Sequence, residues 1–120
     1  MTPYRYQSID PAVLMEAAGD QSTFITLSHT FLEHAPGLFA RLQQAFARRD
    51  YPAVAASSHA LKGMAMLIGA SGLATQLQRH ETAARQGGGL DAAQEELAPL
   101  LALVMREVTQ SIVRAVPQRG

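Results

Sequence analysis

Apolar residues recur along most of the chain at spacings of three and four, the period of an α-helix, and nowhere sustain the two-residue alternation of a strand. Ile9, Val13 and Leu14 form the first group, with Ser8 or Asp10 placed to cap it, Pro11 in its first turn and Gly19 at its end. Asp20 opens a second helix striped by Phe24, Leu27, Phe31 and Leu32. Pro36 should kink or restart that helix, while Leu38, Phe39, Leu42, Ala45 and Phe46 carry the stripe on to Arg48, Arg49 and Asp50. Pro52 suits the first turn of a third helix running to about Ile68, and Gly69, Ala70, Ser71 and Gly72 make a tight connection. A fourth helix carries Leu73, Leu77 and Ala84 on one face and ends before Gly87, Gly88 and Gly89. Asp91 opens the last, which holds Leu97, Leu100, Leu101, Val104, Val108 and Ile112 and is closed by Pro117.

Short connections between successive helices favour antiparallel neighbours. The pattern therefore predicts an all-α fold, an antiparallel up-down four-helix bundle with a short additional N-terminal helix. Residues 1–8 read as an N-terminal extension, 9–116 as the bundle and 117–120 as a C-terminal tail. A chain of 120 residues suffices for one domain, and 48% apolar residues can bury a core rather than leave it disordered. The triple glycine follows no strand, so it is a turn and not a phosphate-cradling loop.

Charge and composition narrow the functional classes. Ten basic and ten acidic residues cancel, whereas a nucleic-acid binder carries a basic excess on one face. A protein partner fits this balance better. The absence of cysteine removes disulfides, thiolate nucleophiles and cysteine-ligated metals. No apolar run approaches the roughly 18 residues of a membrane span, and the opening MTPYRYQSID lacks the apolar centre of a signal peptide. We expect a cytoplasmic protein without membrane or nucleic-acid association; a separate chain, which Met1 favours, and a piece of a larger protein both stay open.

The third helix holds the candidate chemistry. On a helical wheel Val54, Leu61 and Ile68 share one side, flanked by Ser57, Met64 and Ala65, and His59 lies nearly opposite. Pro52, Ala55, Ala56, Lys62, Gly63 and Met66 share the side of His59. Exposed helix faces normally carry long polar side chains; small and apolar ones around a histidine make a docking patch that another backbone can approach closely. Gly63 costs about 1 kcal/mol relative to alanine in a helix interior, which makes sense if the turn beside His59 must stay clear of bulk. Ala55, Ala56, Gly63 and Met66 are the candidate partner-binding residues. Lys62, three residues from His59 and so its surface neighbour, is the only lysine beside nine arginines. A flexible ammonium there can balance the charge of a phosphoryl group. A neutral imidazole nitrogen attacks phosphorus directly, and phosphoryl transfer asks mainly for positioning and charge neutralisation.

Other histidines offer less. His29 and His34 are five apart and diverge around a helix, unlike the i, i+4 pairs that share a metal. Ser57 and Ser58 diverge from His59 by about 100° per residue, which argues against a hydrolytic triad.

His59-Ala60-Leu61-Lys62-Gly63 followed by Gly69 resembles the H-x-L-K-G…G signature of the histidine-phosphotransfer (HPt) family of bacterial two-component phosphorelays. Ile9-Asp10 with Leu14, Gly19-Asp20, the F-L-x-x-x-P-x-L run of Phe31, Leu32, Pro36 and Leu38, Ala45 with Asp50, and Leu73 with Glu81 extend the likeness over nearly the whole chain. His80 departs from it, standing where the family usually has leucine, and is expected to be structural. The resemblance implies a phosphorelay intermediate in which His59 is the phosphoacceptor, Lys62 balances charge and Gly63 lets a partner approach. It implies response-regulator receiver domains as partners, a hybrid sensor histidine kinase as a further candidate, and Mg²⁺ held by the receiver. For the chain itself it implies no cofactor, no metal, no kinase or phosphatase activity of its own, and a monomer. The alternative is a non-catalytic adaptor that binds a protein through the His59 face; a metal-dependent bundle enzyme is disfavoured because paired Glu and Glu-x-x-His motifs are missing.

If the His59 face docks a receiver, Gly63→Glu should block phosphotransfer between the two proteins while circular dichroism shows little loss of helix. Unchanged transfer would remove that role from the face.

Overall fold

The computed structural model describes residues 6–88 and 94–115. Among them are five α-helices and no strand: α1 Pro11–Ala18, α2 Gln21–Ala47, α3 Tyr51–Leu67, α4 Ser71–Arg85 and α5 Leu97–Ala115. Asp91 and Pro117, expected to bound the last helix, lie outside the described residues, as do residues 1–5, Gly89 and the tail.

Local chemistry accounts for the boundaries. Asp10, Asp20 and Asp50 each accept a backbone N–H of the first turn beyond them, from Ala12, Thr23 and Ala53 at 3.1, 2.7 and 3.2 Å. The Thr23 N–H also holds the exposed Asp20 carboxyl below its usual range. Gly19 ends α1 in the left-handed conformation at φ 82°, with its N–H bonded to the carbonyl of Met15. Two details differ from expectation. Ser71 and Gly72 belong to α4, so only residues 68–70 make the α3–α4 connection. Val13 is exposed, and Ile9, which precedes α1, is the residue that packs into the core.

Pro36 does not divide α2. The helix runs 27 residues through it, although a proline inside a helix removes one hydrogen bond at a cost of about 3 kcal/mol. Phe31 and Ala35 before the proline and Leu42 after it are all buried on one continuous stripe. Burying such side chains is worth about 1.5–3 kcal/mol for each large one, which outweighs the lost bond. Pro36 itself faces solvent.

Helices α3 and α4 are antiparallel. Between α3 and α4 the contacts run in opposite order, His59 meeting Glu81 and Lys62 meeting Gln78. These two helices pack most extensively, α2 packs along α3, and α5 closes against α2 and α4. The short α1 lies over α2 and reaches α3. Phe31, Leu42, Leu61, Leu73, Leu77, Leu97, Val104 and Val108 fill the interior. No helix among the described residues is long and apolar enough to cross a membrane.

Residues 6–10 form a strap across the bundle. The backbone N–H groups of Gln7 and Ser8 donate to the Glu107 carboxylate of α5 at 2.8 and 2.6 Å, and the Ser8 hydroxyl adds a third bond at 2.5 Å. Burial raises the proton affinity of Glu107, but these donors more than offset it and hold the carboxyl below its ordinary range. Arg114 donates to the Tyr6 hydroxyl at 2.7 Å, with its guanidinium 5.3 Å from the ring centre. Asp10 donates its N–H to the carbonyl of Gly69 at 3.0 Å, tying the strap to the α3–α4 turn.

Gly69 carries a double constraint. Its φ is 76°, and a Cβ there would overlap the Asp10 carbonyl oxygen. Gly69→Ala should therefore destabilise the fold by about 2–3 kcal/mol or more, read as a lowered urea midpoint. A loss below about 1 kcal/mol would mean that the strap moves aside without penalty.

Candidate functional site

His59 stands on the outer side of α3, opposite the buried Val54, Ser58, Leu61 and Ala65. Its side chain is 65% exposed. One edge of the ring is nonetheless occupied: Nδ1 lies 3.1 and 3.3 Å from the two carboxylate oxygens of Glu81 on α4. Glu81 is only 7% exposed, an uncommon position for a carboxylate unless it is paired. Lys62 donates to Glu81 Oε1 at 2.9 Å, and Arg85 donates to Oε2 through Nε and a terminal nitrogen at 3.1 and 2.9 Å. Lys62 also donates to Gln78 Oε1 at 2.5 Å, and the Gln78 amide nitrogen donates to the Thr82 hydroxyl at 3.0 Å.

Helical spacing assembles this cluster from two elements. His59 and Lys62 are three apart on α3; Gln78, Glu81, Thr82 and Arg85 follow at three- and four-residue spacings on α4. The tight turn at Gly69 sets the register in which the two rows meet.

The electrostatics have a definite consequence. The hydrogen bond from Lys62 is the largest influence on Glu81; burial opposes it, and Arg85 and His59 add to it, so that the carboxyl is held at about 2. Glu81 is therefore ionised at physiological pH and can only accept. The proton shared with it must sit on His59 Nδ1. In the neutral ring this leaves Nε2 unprotonated, with its lone pair directed away from Glu81.

The structure brings His59 and Lys62 together as expected, and Ala56, Gly63 and Met66 lie exposed around them. No atom comes within 4 Å of a Cβ built on Gly63. Two expectations need correction. Ala55 is buried, with 6% exposure, because α3 turns a wide flank toward α4; it lines a depression with Ala84 and Arg85 beneath the exposed face. Lys62 is not a free surface cation: its side chain is 16% exposed and bonded to α4. His80 is buried with its ring edge-on to Phe46 at 5.1 Å, a core position. His29 and His34 are exposed, and no cluster of His, Asp or Glu able to hold a metal occurs among the described residues.

Two grooves border α3. One of about 710 Å³ runs between α3 and α4, bordered by Val13, Lys62, Met66, Ala74 and Gln78; another of about 490 Å³ lies between α2 and α3, bordered by His34, Gly37, Arg41 and Met64. Sequence reasoning placed Glu81 in the family pattern without assigning it a role, and it missed Gln78 and Arg85. Their only sequence signal was a shared face of α4, which says nothing about what that face meets.

A model of the Hpt domain family matches residues 26–115, a span that contains His59, Lys62 and Glu81 and ends with α5. Among solved structures, the chain is similar to histidine-containing phosphotransfer protein B (HptB) from Pseudomonas aeruginosa PAO1, with a TM-score of 0.83 and 24% identity. The alignment covers 92% of this chain and 98% of that one, and the likeness is one of fold. No curated protein matches the chain.

The depressed affinity of Glu81 for protons links the site to stability. Its ionised form contributes above the unfolded value near 4.5, and that contribution is lost as pH falls toward about 2. Glu81→Gln should thus lower the urea midpoint at pH 7, and the gap from wild type should close between about pH 4.5 and pH 2. A gap that is constant with pH would show that the charge contributes nothing.

Proposed function

We propose, from the premise that this chain belongs to the Hpt domain family, that it is a phosphorelay intermediate carrying a phosphoryl group on Nε2 of His59. The observation that supports this most directly is an exposed imidazole whose Nδ1 is engaged by an ionised carboxylate.

In the forward step the Nε2 lone pair attacks the phosphorus of an aspartyl phosphate on a receiver domain. The P–Nε2 bond forms as the P–O bond breaks, and the electron pair of that bond stays on the receiver's carboxylate. The ring becomes a phosphoimidazolium, its positive charge shared along Nδ1–H with Glu81. In the second step a carboxylate oxygen of another receiver attacks the phosphorus, the P–N bond breaks, and the pair returns to Nε2. No proton has to enter or leave the ring in either direction. Lys62 balances the phosphoryl charge, and Arg85 keeps Glu81 paired when it does. The receiver supplies the aspartate and the Mg²⁺; Ala56, Gly63 and Met66 form the low-relief surface against which it closes.

Phosphoramidate, which needs no cognate partner, should label wild type on His59 at Nε2 and leave His59→Gln unlabelled. Mapping by mass spectrometry and ³¹P NMR would read both the residue and the nitrogen. Label at Nδ1, label spread over all four histidines, or no label would overturn the assignment and favour an adaptor.

A further inference from the structure

We infer that Gln78 is a positioning residue for phosphoryl transfer: it holds Lys62 against α4 in the resting protein and so sets how readily the lysine reaches a phosphoryl group on His59. The inference rests on the reading of His59 as phosphoacceptor.

Lys62 belongs by sequence to the exposed side of α3, yet its side chain is largely covered and its ammonium has two partners on α4, Gln78 Oε1 at 2.5 Å and Glu81 Oε1 at 2.9 Å. The Gln78 amide cannot turn away freely, because its nitrogen is bonded to Thr82 Oγ1 at 3.0 Å. The carbonyl oxygen is thereby aimed at Lys62. An ammonium has three hydrogens, and two are committed in the resting state. For Lys62 to turn toward Nε2 of His59, one or both of these bonds must break.

The two partners differ in what their loss entails. Glu81 is buried, and removing it would strip Arg85 and His59 of their shared acceptor. Gln78 is exposed and uncharged, so the fold does not depend on it. If Lys62 leaves, Glu81 keeps both Arg85 and His59, and no buried charge is abandoned. The strength of the Gln78 bond is therefore the adjustable part of the cost of releasing the lysine. Removing the acceptor should favour phosphorylation, and replacing it with a carboxylate should oppose it.

The test uses phosphoramidate, from which Nε2 takes the phosphoryl group as the donor's P–N bond breaks and ammonia departs. Initial rates of His59 labelling would be compared for wild type, Gln78→Leu and Gln78→Glu, each also in a Lys62→Met background. The loss of one exposed hydrogen bond to a charged group predicts labelling about fivefold faster in Gln78→Leu and slower by a similar factor in Gln78→Glu. Both effects should vanish with Lys62→Met. A second readout needs no turnover. Lys62 is the only lysine, so ¹⁵N-lysine labelling gives a single side-chain ammonium signal. It should be protected and slowly exchanging in wild type and lose that protection in Gln78→Leu.

Unchanged rates, rates shifted in the same direction by both substitutions, or an equal spread without Lys62 would overturn the role of Gln78 while leaving the phosphoacceptor in place. A wild-type protein that takes no label on His59 would remove the phosphoacceptor, and this inference with it, before any variant is compared.

Discussion

A carboxylate taken out of water must gather partners or lose its charge, and Glu81 has gathered three from two helices. Lys62 and His59 come from α3 and Arg85 from its own helix. Each partner offsets part of the desolvation cost, and together they leave the charge more stable in the fold than in water. The cluster is therefore a constraint on geometry as much as on energy. It fixes the rotation of α3 against α4, because only one face of each helix can satisfy it. It also determines which nitrogen of His59 is available for chemistry.

A second carboxylate, on α5, repeats the device with a different aim. Glu107 is likewise nearly buried and likewise holds three donors, but two of them are backbone N–H groups of the strap. There the carboxylate does structural work, drawing a segment about a hundred residues away in sequence onto α5. The strap then reaches Gly69, whose missing side chain lets the Asp10 backbone pass over the turn between α3 and α4. The turn that sets the register of the His59–Glu81 cluster is thus held from outside by the strap.

Much of this was legible in the sequence. The helical period, the caps read at Asp10 and Asp20, Pro52 and the glycines located the elements closely, because each of those signals acts within a few residues. The outward direction of His59 followed from the same periodicity. What escaped was whatever depended on two helices meeting. Ala55 looked exposed on the wheel of an isolated helix, but α4 covers that flank. Lys62 looked free for the same reason. Glu81 and Gln78 are 22 and 19 residues from His59, and no local rule relates positions at that distance. At Pro36 both the local cost and the continuing apolar stripe were visible, and only the burial of that stripe against the other helices shows that the stripe prevails and the helix is not divided.

The ridge on which His59 stands has a kinetic consequence. One exposed imidazole edge on one face, with small residues around it, offers a single seat. On the proposed reading a donor and an acceptor cannot occupy that seat together. The carrier must part from the first before it meets the second, and exchange becomes a ping-pong cycle with a free phosphorylated intermediate. The lifetime of the phosphorus–nitrogen bond in bulk solvent then limits how far, and to how many competing acceptors, a signal travels.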